Sequence, residues 1–152
     1  MGQPWTSGRP MPRLLASIPC EDVVASLREE TTFSIQQITF LLTASAWPAR
    51  FDRLMVVNLW TGGEGTYKET VRILTPEGEE IVRSDSVLQA TPDSPAPVLI
   101  ASMFRLVLAG PGVYPVEVML DDTPVHAFEL HAAAVGPPAM RSSTKEGRDE
   151  PV

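Results

Sequence analysis

The side chains that most often bind metal ions are scarce in this chain, which contains two histidines, His126 and His131, and one cysteine, Cys20. Both histidines fall in one predicted strand at an odd separation, so the alternation of side chains sends them to opposite faces. A mononuclear zinc site needs three or four converging ligands, which these residues do not supply. We therefore predict no metal site and no cofactor.

The sequence also contains no recognisable arrangement of residues for nucleophilic catalysis. Cys20 follows an apolar run, and a free cysteine in such a position is usually buried and unreactive. Because there is no second cysteine, the chain cannot form an internal disulfide. The motifs Gly-x-Ser-x-Gly and His-Glu-x-x-His do not occur. The glycines within 62–65 lack the lysine-serine ending of a phosphate-binding loop, and we interpret them as a loop between strands.

Adjacent carboxylates occur at Glu21-Asp22, Glu29-Glu30, Glu79-Glu80 and Asp121-Asp122. Neighbours in a strand point to opposite faces, whereas glycosidases need two carboxylates that converge across a cleft. We therefore interpret the pairs as solvated surface, with Asp22 as the N-cap of a short helix and the last pair in a hairpin turn. We predict no catalytic residues and expect that the protein is not an enzyme.

The charge balance excludes further classes of function. The 152 residues include 12 Lys+Arg and 19 Asp+Glu, a net charge of -7, and an acidic body repels the phosphates of nucleic acids. The apolar runs are far shorter than the ~18 residues that span a membrane, and the N-terminus has no signal-peptide pattern. We expect a soluble, cytoplasmic protein that binds neither nucleic acid nor membranes.

The elements that position these residues are predicted to be strands, because 15 prolines and 10 glycines separate short runs rich in Val, Ile, Thr, Phe and Leu. The predicted strands are Arg13–Ile18, Phe33–Ala44, Arg53–Trp60, Thr66–Leu74, Glu79–Arg83, Leu99–Leu108, Val113–Leu120 and Pro124–Ala133. Only Glu21–Glu30 has helical spacing, and 84–97 is predicted as a loop. One helix cannot connect many parallel strands, so the sheets must be mainly antiparallel and packed face to face.

A tyrosine after a glycine-rich turn indicates the type of sandwich. The chain turns through Gly110-Pro111-Gly112 and begins the next strand with Tyr114. Immunoglobulin-like sandwiches carry a tyrosine corner at such a place, where the phenol bonds to upstream backbone. We assign structural roles to Tyr114, Gly110 and Gly112, and to Gly78 in the turn at 75–78. The prediction is an all-β, mainly antiparallel, immunoglobulin-like β-sandwich of about 7–8 strands at 13–135, between flexible tails at 1–12 and 136–152.

Several short segments together resemble an uncharacterised bacterial family of small single-domain immunoglobulin-like sandwiches. They are Cys20-Glu21-Asp22-Val23 after an apolar strand, Pro48 before the strand ending Trp60-Thr61-Gly62-Gly63, the turn Pro76-Glu77-Gly78 and the corner Gly112-Val113-Tyr114. The resemblance covers about 13–132. It implies the sandwich fold and a non-catalytic role, and it transfers no catalytic residues. The glycine hairpin that the family pattern places after the Cys-Glu-Asp strand is missing, because 25–32 contains no glycine.

Two functions fit these predictions. Arg53–Trp60 is apolar on both faces around Asn58, which predicts a central strand and an apolar patch, with Met55 and Val57 exposed toward a partner. The protein would then be a non-catalytic interaction module, self-associating or part of a larger assembly. The alternative is a carbohydrate or small-ligand binding domain that uses Trp47 and Trp60 for stacking, although Trp60, at the end of a doubly apolar strand, is otherwise expected in the core.

Overall fold

The computed structural model describes residues 10–26 and 32–136, which form nine strands and no helix. The strands are β1 (Arg13–Ala25), β2 (Phe33–Ile38), β3 (Leu41–Ala44), β4 (Ala49–Thr61), β5 (Gly65–Leu74), β6 (Glu80–Ala90), β7 (Val98–Leu108), β8 (Gly112–Leu120) and β9 (Thr123–Ala134). Several strands extend beyond their predicted bounds, because the backbone ladders continue past the apolar runs that mark each strand in the sequence.

The strands form two sheets, in the orders β2-β1-β4-β7 and β3-β9-β8-β5-β6. Every ladder is antiparallel except the short one between β3 and β9, where Leu41 lies beside His131. The prediction of an all-β, mainly antiparallel fold is therefore confirmed. The central position predicted for the third run is also confirmed, because β4 lies between β1 and β7.

The core lies between the sheets and follows from the two-residue alternation of strands. The inward residues predicted for β8 are all buried, namely Tyr114, Val116, Val118 and Leu120. The outer face of the five-stranded sheet carries several charged side chains, and there Arg72 pairs with Glu117 at 2.8 Å and with Glu80 at 3.4 Å. This outer face therefore suits solvent, and the charged residues of the chain are concentrated away from the core.

The helix predicted at Glu21–Glu30 is wrong in the part that the structure describes. Residues 21–25 continue β1 and pair with β2, with Val23 opposite Ile35. Asp22 therefore caps no helix, and its Oδ1 instead accepts hydrogen bonds from the Val23 amide and the Arg53 guanidinium, each at 2.8 Å. Local helical spacing is a weak signal, and the ladder with β2 outweighs it. Residues 27–30 lie outside the described residues.

The single strand predicted at Phe33–Ala44 is divided into β2 and β3, because the chain crosses here from one sheet to the other. Near the end of β2, Gln37 has a φ of 58°, and just beyond the strand the Thr39 amide donates to the Pro19 carbonyl at 2.9 Å. The crossing separates the residues that the alternation had grouped on one face. Phe40 is 47% exposed, whereas Leu42 is buried.

Two predicted boundaries also shift. The loop expected at 84–97 begins later, because β6 continues to Ala90, which pairs with Gly65 of β5. Residues 10–12 do not behave as a free tail, since the Pro10 carbonyl accepts a hydrogen bond from the Glu64 amide at 3.1 Å and Pro12 is buried. The other residues of the two predicted tails, except Gly136, lie outside the described residues.

The predicted turns are confirmed. Gly78, with φ of 95°, donates its amide hydrogen to the Thr75 carbonyl at 2.9 Å between β5 and β6. Asp121 and Asp122 have φ values of 48° and 69°, and they connect β8 to β9. Asp and Asn tolerate this left-handed conformation better than most residues with a side chain, which explains their use in the turn.

Candidate functional site

The apolar patch predicted on β4 exists, but the chain itself covers much of it. Met55, Val57 and Leu59 alternate with core residues and so point to the outer face of the four-stranded sheet. Val57 lies between Ile18 of β1 and Ala101 of β7 and is fully buried. The prediction of Val57 as an exposed binding residue is therefore wrong, and Met55 is only partly exposed.

A β-hairpin lies near one end of this face, beside Leu59. We call residues 20–25 of β1 and 33–38 of β2 the β1–β2 hairpin. Phe33 and Ile35 of this hairpin line a cavity of about 200 Å³ together with Leu59, Pro97 and Leu99. Leu59 pairs with Ala16, far along β1 from the hairpin, so the hairpin reaches it by folding over the outer face of the sheet.

Among residues 10–26 and 32–136, the part of this outer face that is most exposed lies on β7. Met103 and Val107 point outward and are 55% and 61% exposed, and Ala101 and Arg105 are exposed beside them. The alternate residues of β7 point into the core and are largely apolar. The strand is therefore apolar on both faces and carries one charged side chain, Arg105, in 11 residues.

β7 is also an edge strand. Among the described residues it forms a ladder only with β4, and β6 of the other sheet approaches it without forming one. The other edge strands are shorter or more charged than β7: β2 and β3 have 6 and 4 residues against its 11, and β6 carries Glu80, Arg83 and Asp85. Short length and charge are common ways to prevent edge-to-edge association, and β7 uses the second only at Arg105.

Trp60 cannot stack on a ligand, because it is 1% exposed and its Nε1 donates to Glu69 Oε2 at 2.8 Å. The Asn58 Nδ2 donates to the same oxygen at 2.9 Å. Glu69 is fully buried, and burial raises the pKa of its carboxyl group. These bonds connect β4 of one sheet to β5 of the other. The sequence signal was a carboxylate at an inward position of β5, between Tyr67 and Val71, and our sequence interpretation missed it.

Trp47, the second predicted stacking residue, is half-buried beside Phe51, with 6.4 Å between the ring centroids. It precedes a cis peptide bond to Pro48. Its indole nitrogen is buried and has no hydrogen-bond partner among the described residues. Of the two tryptophans proposed to stack on a ligand, only Trp47 keeps part of its surface accessible.

The residues assigned to structural roles have the contacts that such roles require. The Tyr114 hydroxyl donates to the Gly110 carbonyl at 2.6 Å, which is the tyrosine corner predicted from the sequence. A Cβ at Gly112 would lie 3.2 Å from Pro76 Cγ, so the corner packs tightly against the β5–β6 turn. These contacts fix the entry of β8 into the core.

The residues considered for chemistry lie apart. Cys20 is fully buried, and burial raises the pKa of its thiol, which disfavours the reactive thiolate. His126 and His131 are exposed on β9, and His131 lies 3.5 Å from the Glu129 carboxylate. Within 10–26 and 32–136, no three His, Cys, Asp or Glu side chains are grouped as metal ligands. The same residues include no helix that could span a membrane.

Comparison with known protein families identifies a match. The model of a family of unknown function, DUF6941, matches residues 17–133, from the first half of β1 to near the end of β9. No curated protein matches the chain. The match covers the sandwich almost completely. It confirms the expectation that the chain belongs to an uncharacterised family.

Proposed function

We propose that this chain, which belongs to the DUF6941 family of unknown function, is a non-catalytic interaction module that self-associates through β7. The observation that carries the proposal is the combination of properties on that strand. It is 11 residues long, lies at a sheet edge, has apolar side chains on both faces and contains one charge. Such an edge offers a row of backbone groups to which another strand can add.

The strand is complementary to a second copy of itself. When two β7 strands run antiparallel about a two-fold axis at Met103, all 11 residues of Val98–Leu108 find partners. Met103 then faces Met103 and Leu99 faces Val107, so apolar side chains oppose each other on the outer face. Arg105 faces Ala101, and the two guanidinium groups do not oppose each other. A register centred on Arg105 would bring these like charges together, which destabilises a strand pair.

This pairing also gives a closed dimer that adds no further copies. Pairing of β7 with β7 is isologous, meaning that each copy uses the same surface, and it consumes the edge through which it forms. The remaining edges carry the short strands and charges described above, so they do not propagate the sheet. We therefore propose a homodimer in which the two four-stranded sheets join across β7.

Sedimentation velocity over a concentration series tests the proposal. We expect the wild-type chain to dimerise and Met103→Lys to remain monomeric, because the substitution places two ammonium groups opposite each other. Val87→Lys is the matched control, since Val87 is 72% exposed on β6 and lies outside the proposed interface. A monomeric wild-type chain, or equal loss of dimer in both variants, would contradict the proposal.

Disulfide trapping tests the register. Directly paired residues in antiparallel strands have Cα atoms ~4.5–5.5 Å apart, which suits a disulfide. Met103→Cys should give a covalent dimer on mild oxidation, while the native Cys20 is fully buried and should not interfere. Val87→Cys again serves as the control. Dimerisation without trapping at position 103 would refute this register and leave self-association standing.

We also propose an immunoglobulin-like type of sandwich and a cytoplasmic location. The Tyr114–Gly110 hydrogen bond supports the immunoglobulin-like type of sandwich. A single buried cysteine in a chain without an internal disulfide supports a cytoplasmic location. The alternative function of carbohydrate or small-ligand binding would now depend on Trp47 alone, because Trp60 is buried.

A further inference from the structure

Four buried side-chain oxygens between the two sheets have no hydrogen-bond partner among the described residues. They are Ser17 Oγ, Asn58 Oδ1, Glu69 Oε1 and Ser102 Oγ. Buried polar atoms are normally paired, because leaving one unpaired costs ~1–3 kcal/mol. Their concentration around one carboxyl group therefore requires an explanation.

The strand registers place these oxygens around Asn58. Ser17 of β1 lies directly opposite Asn58 of β4, and Ser102 of β7 lies opposite Val56, two residues along the same face of β4. Glu69 reaches this group from β5, with its Oε2 2.9 Å from Asn58 Nδ2. In the Asn58 side chain, Nδ2 is hydrogen-bonded and Oδ1 is not. In the Glu69 carboxyl group, Oε2 is hydrogen-bonded and Oε1 is not.

The two unpaired atoms of this pair are both acceptors when Glu69 is ionised. An amide oxygen and a carboxylate oxygen repel each other and cannot form a hydrogen bond. A proton on the carboxyl group converts one of them into a donor. A carboxylic acid and a primary amide can then form two hydrogen bonds, N–H to carboxyl oxygen and O–H to amide oxygen.

We propose that Glu69 carries a proton on Oε1 in the folded protein and donates it in a hydrogen bond to Asn58 Oδ1. The proton comes from solvent and returns to it on ionisation. The acid–amide pair connects β5 to β4 by two hydrogen bonds, and the Trp60 indole nitrogen adds a third at Oε2. The result is a pH-sensitive connection between the two sheets.

The surroundings of Glu69 favour the neutral form. Its neighbours in the ladders are Ser86 of β6 and Leu120 of β8, neither of which is charged. From the opposite sheet it meets Asn58 and Trp60. Among the buried residues that the structure describes, Glu69 is the only one with an ionisable carboxyl group, and none is a lysine or arginine. No buried cation therefore compensates the charge of an ionised Glu69. Burial without such a cation penalises the charged form.

The consequence is a loss of stability at higher pH. A group whose pKa is raised in the folded state supports folding fully below its unfolded pKa, and that support is lost as pH rises through the folded value. On ionisation Oε1 and Oδ1 become two facing acceptors, and the connection between the sheets weakens. Glu69→Gln mimics the protonated form, because its amide nitrogen can donate to Asn58 Oδ1 at every pH.

The test is the ¹³Cδ chemical shift of Glu69 over a pH titration of the folded wild-type chain, combined with urea unfolding of wild type and Glu69→Gln over the same range. We expect the Glu69 carboxyl to titrate above the range of exposed glutamates, and the stability of Glu69→Gln relative to wild type to increase with pH. Glu77→Gln, at an exposed turn, is the matched control and should show no such increase.

Two results would overturn the proposal. One is a Glu69 carboxyl that titrates like an exposed glutamate, which would mean that Glu69 Oε1 and Asn58 Oδ1 are satisfied in another way, for example by internal water around an ionised carboxylate. The other is a Glu69→Gln variant whose stability relative to wild type does not change with pH. If Glu69→Gln does not fold, the wild-type titration decides alone.

Discussion

At Tyr114 a single hydroxyl group connects the start of β8 to the turn before it. The 2.6 Å bond to the Gly110 carbonyl is local in sequence, yet it sets the direction in which a core strand enters the sandwich. The ring itself is 4% exposed and packs in the core. The hydroxyl and the ring thus have separate roles. A substitution that removes only the hydroxyl measures the contribution of its hydrogen bond.

We expect Tyr114→Phe to lower the free energy of unfolding by about 1 kcal/mol, because it removes one hydrogen bond and preserves the apolar ring. Urea unfolding of the two chains measures the difference. Val113→Ala, at the neighbouring residue of β8, controls for general sensitivity of the strand. Equal stability of wild type and Tyr114→Phe would show that the hydrogen bond at the corner does not contribute.

At the scale of elements, contacts outside the ladders hold the ends of strands. The β4–β5 loop packs against the segment before β1, where a Cβ at Gly63 would lie 2.6 Å from Pro12 N. In the same region the Tyr67 hydroxyl shares its one proton between the Glu64 carbonyl, at 2.9 Å, and the Pro10 carbonyl, at 3.2 Å. This contact fixes the beginning of β1, the strand that continues into the β1–β2 hairpin.

Gly63→Ala should destabilise the fold more than Gly62→Ala. Both glycines have positive φ, 83° and 69°, so each substitution costs ~1–2 kcal/mol for the left-handed backbone. Only Gly63 also faces a backbone at short distance, whereas nothing lies within 4 Å of a Cβ at Gly62. Overpacking adds about 1–3 kcal/mol at Gly63. Thermal or urea unfolding compares the pair, and equal losses would refute the close contact.

At the scale of the whole molecule, the net charge and the apolar edge at β7 have opposite effects on self-association. The net charge of -7 keeps copies apart in solution, while β7 offers an apolar edge on which two copies can pair. The charged outer face of the five-stranded sheet, with the Arg72 ion pairs, leaves the four-stranded sheet as the surface for association. The proposed function therefore depends on the location of β7 at the edge of the four-stranded sheet.

Added salt should strengthen self-association. Salt screens the repulsion between two acidic chains, and the proposed interface contains only one charged residue per copy, Arg105. We expect the dimer dissociation constant to fall by up to about tenfold, or ~1.4 kcal/mol, between low and moderate salt. Sedimentation equilibrium at two salt concentrations measures it. Weaker dimerisation at high salt would indicate an interface held by opposite charges instead of β7.

The class of fold, the turns and the tyrosine corner could be predicted from the amino-acid sequence, because these features depend on local chemistry. Alternation sent the β8 side chains inward, and glycine and aspartate supplied the left-handed backbone of the turns. The exposure of the apolar surfaces could not be predicted in this way, because it depends on how distant strands pack together. Val57 is covered by elements distant in sequence, and β7 is an edge only because of the order in which the strands assemble. Glu69 shows the same limit, since its partners Asn58 and Trp60 belong to the opposite sheet.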